Sequence, residues 1–101
     1  MIPLLTTRDG YEGIARRVIE GFNEGRENVL VHIRDLEWGM ALAYTHNLIA
    51  PQLDDACVPI GRMEIEVVDI PNPNKGSCQP TISVVEMSYT FPQHQSLQRS
   101  P

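Results

Sequence analysis

A chain of 101 residues with a formal net charge of −5 is long enough for one domain with a modest core. Its basic residues are scattered, which argues against nucleic acid as a partner, because phosphate binding needs clustered Lys and Arg. Two cysteines are too few for a disulfide scaffold. No stretch approaches the roughly 20 apolar residues of a membrane-spanning helix. The opening MIPLLTTRDG has neither the basic start nor the apolar run of a signal peptide. The expectation is a cytoplasmic protein, or one assembled into a particle, with no membrane partner.

The first element expected is a helix from about Asp9 to Glu24. Asp9 suits the N-cap and Glu12 would complete a capping box. Tyr11, Ile14, Ala15, Val18 and Phe22 form one apolar stripe at helical spacing, bordered by Ile19. Arg16 and Arg17 then belong to the wet face, with Glu12 and Glu20 one turn either side of Arg16. Gly25 is a suitable C-terminal stop.

Asn28 to Leu48 admits two readings. The β-branched run from Val29 to Ile33 reads as a short buried strand, followed by a helix capped by Asp35 that buries Leu36, Met40, Tyr44 and Leu48. Alternatively Val29, Ile33, Leu36, Met40 and Ala43 fit the seam of one long helix. The strand is preferred, because a hairpin alone is marginal in water and a third strand completes a small sheet. Gly39 weakens the second helix by about 1 kcal/mol relative to Ala. In a regular strand His32 shares a face with Leu30 and needs one hydrogen bond. His46, late in the helix, suits a cation facing the negative end of the helix dipole. Asp35, Glu37 and Trp38 are read as a cap, a first-turn acid and a core aromatic rather than a pocket lining. Pro51 is expected to end the helix, and Pro51 to Gly61 to form a loop.

A mirrored pattern follows. Arg62 to Ile70 and Thr81 to Phe91 read as strands, and PNPNKGSCQP between them is turn chemistry. Folded back about Gly76, the strands set Met63 across from Tyr89, Ile65 from Met87 and Val67 from Val85. Beyond that point apolar residues occupy the other face: Val68 opposite Val84, and Ile70 opposite Ile82. A hairpin apolar on both faces needs two burial partners.

Two polar groupings stand out. Glu66 falls opposite Glu86, with Glu64 on the same face; like charges directly opposed cost some tenths of a kcal/mol unless something compensates. Arg62, another arginine, a cation or a basic partner are the candidates for that role. The hairpin register also brings Cys57 near His94, beside Asp54 and Asp55. That set could form a nucleophilic dyad or a partial metal site, although the ordinary reading is a structural cysteine and a tail histidine. A Cys57–Cys78 disulfide is not expected, because a strand about 30 Å long separates the two.

The sequence thus describes an α+β fold: a small sheet made of a long C-terminal hairpin plus one strand, packed with two helices on one face. Residues 1–91 are read as one domain and 92–101 as a polar tail with the composition of a disordered segment. No cofactor and no metal are implied. The functional expectation is a non-catalytic interaction or assembly subunit. It would self-associate through Val68, Ile70, Ile82 and Val84, meet another protein as well, and suit a viral or phage-like particle. Two other classes stay open: a small enzyme or ligand-binding protein with its site at Cys57 and His94, and an acidic inhibitor of a basic protein acting through Glu64, Glu66 and Glu86.

Overall fold

The computed structural model describes residues 2–92. In chain order these form β1 (Leu4–Leu5), α1 (Gly10–Asn23), β2 (Asn28–Ile33) and α2 (Leu36–Thr45). A 3-10 turn (His46–Leu48), α3 (Ala50–Asp55), β3 (Arg62–Pro71) and β4 (Thr81–Thr90) complete the order. The strands make one four-stranded sheet in the order β1-β2-β4-β3. β1 runs parallel to β2, and the other neighbours are antiparallel. The fold is α+β, a small sheet packed against helices.

The hairpin has the register that its mirrored pattern dictates. Met63 lies across from Tyr89, Ile65 from Met87, Val67 from Val85, Val68 from Val84 and Ile70 from Ile82. The run from Val29 to Ile33 is a strand, paired with β4 so that Val31 faces Met87 and His32 faces Glu86. β1, only two residues long, is an addition to the expected sheet.

Alternation along the strands builds the core. Val29, Val31 and Ile33 of β2 and Val85, Met87 and Tyr89 of β4 share one sheet face, and all are buried. Ile14, Ala15 and Val18 of α1 pack on that face with Leu42, Ile49, Leu53, Val58 and Phe91. Tyr11, Ile19 and Phe22 border this cluster, as their helical spacing requires. Phe22 meets Phe91 edge-on with ring centres 5.1 Å apart.

Two helix ends share one device. After α1, Gly25 N–H donates to the Phe22 carbonyl and Arg26 N–H to that of Gly21. After α3, Cys57 N–H donates to Asp54 and Val58 N–H to Leu53. Both are Schellman closures, which place one residue in the left-handed region. Gly25 takes it at φ 81°, and Cys57 takes it at φ 59°. Leu53 and Val58, both buried, supply the apolar contact that accompanies such an end.

Several expectations need correction. Asp9 occupies the N-cap position but makes no capping bond. Its carboxylate turns back to accept Thr6 N–H at 2.8 Å, so the capping box with Glu12 does not form. Asp35 does cap α2, accepting Trp38 N–H at 2.9 Å. Pro51 does not end a helix; it sits in the first turn of α3, where its missing N–H would have had no intrahelical partner anyway. The expected loop therefore contains a helix. Finally, Leu36, Met40, Tyr44 and Leu48 are exposed rather than buried. α2 turns Gly39 and Leu42 inward instead, because only a residue without a Cβ can sit against the Val85 side chain, as Gly39 does.

Candidate interaction surfaces

α2 reads LEWGMALAYT and carries one charge, Glu37. It is apolar on its inner side, at Gly39 and Leu42, and again on its outer side. A helix apolar all round is ordinarily buried all round. Here Leu36 is 41 % exposed, Met40 45 %, Leu48 49 % and Tyr44 89 %. Spaced four apart, these residues wind slowly across the outer face of α2 into the 3-10 turn. Trp38 marks the flank next to α1, with its ring 5.6 Å from that of Tyr11. The opposite flank lies over β3, where Val67 is 51 % exposed. At the far end of the stripe Leu48 borders a shallow hollow with Arg8, Asp9, Glu12 and Gln52.

The distal hairpin is a second surface. Pairing of β4 with β2 stops at Val85, so from Thr81 to Val84 the strand is held by β3 alone. Val84 is fully buried, while Val68, Ile70 and Ile82 are half-buried. A hydrogen bond from Ser83 Oγ to Asp69, 2.7 Å, crosses the arm.

The acidic grouping lies on the sheet face away from the helices. Glu66 faces Glu86, and both line a hollow with Glu64, Ile65 and Ser88. Two groups offset the repulsion. Arg62 binds Glu64 at 2.7 Å. His32, directly opposite Glu86 on β2, approaches Glu86 Oε2 through Nε2 at 2.9 Å and is almost fully buried. Sequence reasoning assigned His32 one hydrogen bond but missed this partner. Only the β2–β4 register reveals it, and no local signal carries that register. Glu66 has no ion pair among the described residues. Glu66→Gln is therefore expected to stabilise the chain by about 0.2–0.5 kcal/mol. Paired thermal melts check this, and a clear loss of stability would show that Glu66 makes a favourable contact.

Only part of the alternative site, Asp54, Asp55 and Cys57, falls among the described residues. Asp54, Asp55 and Cys57 are exposed, and Asp54 and Cys57 border a shallow hollow with Val58 and Pro59. His94 lies outside the described residues. The left-handed backbone of Cys57 is accounted for by the end of α3 and gives no separate reason to read a nucleophile there. Cys57 and Cys78 are both free and exposed. Among the described residues no cluster of three or more His, Cys, Asp or Glu side chains could hold a metal. No described helix is long and apolar enough to cross a membrane.

Two basic residues depart from their expected roles. His46 is the C-cap of α2, but its ring is turned inward to the Tyr89 hydroxyl, with Nε2 3.0 Å from Oη. Burial holds its pKa below the ordinary histidine value, so the neutral ring is favoured over a dipole-facing cation. Burial likewise pushes the Tyr89 phenol well above its ordinary value. Arg17 is half-buried rather than solvated, and its Nε has no hydrogen-bond partner. Arg16 stays on the wet face.

No protein-family model matches this chain. No curated protein matches it in sequence.

Proposed function

We propose that this protein is a non-catalytic assembly subunit that associates with copies of itself and, within a larger particle, with another protein. The observation that carries this reading is the outer face of α2. Three large apolar side chains, Leu36, Met40 and Tyr44, stand there in water on a helix with one charge, and Leu48 extends them into the 3-10 turn. Apolar area left in water forgoes about 25 cal/mol for every Å². A chain of this length has little burial to spare. A contiguous apolar stripe with a polar rim is the usual mark of a protein contact. The distal hairpin adds a second surface, half-buried at Val68, Ile70 and Ile82.

Native mass spectrometry and light scattering over a concentration series test the reading. The expected result is a mass of two or more chains at the upper end of the series. A compact monomer at every concentration would overturn self-association.

A further inference from the structure

Resting on that reading, we propose that two copies pair through the outer faces of their α2 helices. The helices run antiparallel about a two-fold axis that passes between Met40 and Tyr44. A two-fold contact uses the same patch on both partners, so the patch must complement itself when reversed. The stripe Leu36, Met40, Tyr44, Leu48 does so. Reversal sets Met40 on the other copy's Tyr44, a thioether against an aromatic ring, and Leu36 on the other copy's Leu48. Small Ala41 and Ala43, both exposed, flank the axis and let the helices approach.

Charge selects the antiparallel sense and favours a second copy as the occupant. Glu37 sits at the start of the stripe, and Arg8 lines the hollow that Leu48 borders at its end. Neither side chain has an ion pair among the described residues. Antiparallel pairing carries each Glu37 to the other copy's Arg8, twice by symmetry. Parallel pairing would set Glu37 beside Glu37. Two carboxylates also line the Arg8 hollow: that of Asp9 is already bound to Thr6 N–H, and neither it nor that of Glu12 forms an ion pair with Arg8. Helix dipoles are also better opposed than aligned. The hairpin arm is the weaker candidate for this contact, because Val84 is already fully buried within the chain.

The contact is one helix wide, so it belongs at the low end of interface size, near 1,200 Å² in total. Dissociation in the micromolar range is expected. Three measurements on the full chain test the arrangement. Tyr44→Asp alters a side chain that is 89 % exposed, so the circular dichroism of the monomer should be kept and its melting should fall only slightly, by what a carboxylate costs in the last turn of a helix. The dissociation constant should rise at least about 100-fold, since the change sets a charge in an apolar contact. Arg8→Glu or Glu37→Arg alone should weaken the pair about threefold, and the double exchange should restore it. With Cys57→Ser and Cys78→Ser as background, a mixture of Leu36→Cys and Leu48→Cys chains should cross-link, while Leu36→Cys alone should not. An oligomer that persists unchanged in Tyr44→Asp would overturn the α2 contact and leave self-association standing. Leu36→Cys cross-linking to itself, or no recovery in the double exchange, would overturn the antiparallel arrangement. A wild-type monomer would overturn both this inference and the reading beneath it.

Discussion

Gly39→Ala should destabilise the domain by about 1–3 kcal/mol, even though alanine is the better helix former. The two effects oppose each other and can be weighed. Removing glycine from a helix interior gains up to about 1 kcal/mol. Against it, a Cβ at position 39 would lie 2.7 Å from both Cβ and Cγ2 of Val85 and 3.2 Å from Cγ1. Val85 is fully buried. Because its Cβ is itself in the way, no rotation of the side chain relieves the clash, and α2 must lift from the sheet. Overpacking a core in this way costs about 1–3 kcal/mol, sometimes more, so the clash wins. For a domain of this size each kcal/mol lowers the melting temperature by about 4–8 °C. Val85→Ala removes Cγ1 and Cγ2 but keeps Cβ, so in its background Gly39→Ala should cost less without becoming neutral, which a double-mutant cycle would read as coupling between the two sites. Gly25→Ala is a useful contrast: nothing lies near that position, and its cost should come only from the positive φ. A Gly39→Ala chain as stable as wild type would mean that α2 does not sit against Val85 as described.

The same glycine explains where the sequence could be read and where it could not. The hairpin register was legible, because apolar residues mirrored about Gly76 leave only one pairing that keeps both faces consistent. The face of α1 was legible for a similar reason: a clear apolar stripe opposite charges has one way to pack. α2 offers no such contrast. With apolar residues on every side, its pattern cannot say which face turns inward, and the bulkier stripe looks like the buried one. Close approach at Gly39 decides the matter, and that is a property of the helix and Val85 together. β1 escaped notice because two residues carry no periodicity. α3 escaped because Pro51 and Gly61 punctuate its segment like a loop, although proline in a first turn is a helix start as readily as a stop.

The candidate surfaces divide along the same line. Glu66 and Glu86 could be set opposite each other from the hairpin alone. His32, their buried neighbour, could not, because its position depends on how β2 docks to β4. The residues expected to fill the core beneath α2 are the ones left outside it. That inversion moves the weight of the assembly reading from the hairpin to the helix.

Tyr89 carries the second large effect. It is fully buried near the end of the inner strand β4, opposite Val29 on one side and Met63 on the other. Tyr89→Ala should cost about 3–5 kcal/mol, through lost burial and the cavity left behind. That is a large share of the 5–15 kcal/mol typical of a folded domain. Tyr89→Phe removes only the hydroxyl that meets His46 at 3.0 Å, a loss of about 1 kcal/mol. The pH dependence separates the two contributions of this pair. Burial lowers the folded-state pKa of His46 below 6.5, so the unfolded chain binds more protons in the window beneath that value. This part of the stability is complete above about pH 6.5. It falls as the pH drops below 6.5 and levels off once the folded-state pKa is passed. His46→Gln should remove this part of the slope when melts are compared between about pH 7 and pH 5. Tyr89→Phe should keep it, because burial rather than the phenol hydroxyl is what disfavours the charged ring. If Tyr89→Phe flattens the profile as much as His46→Gln does, the hydrogen bond and not desolvation sets the protonation state of His46.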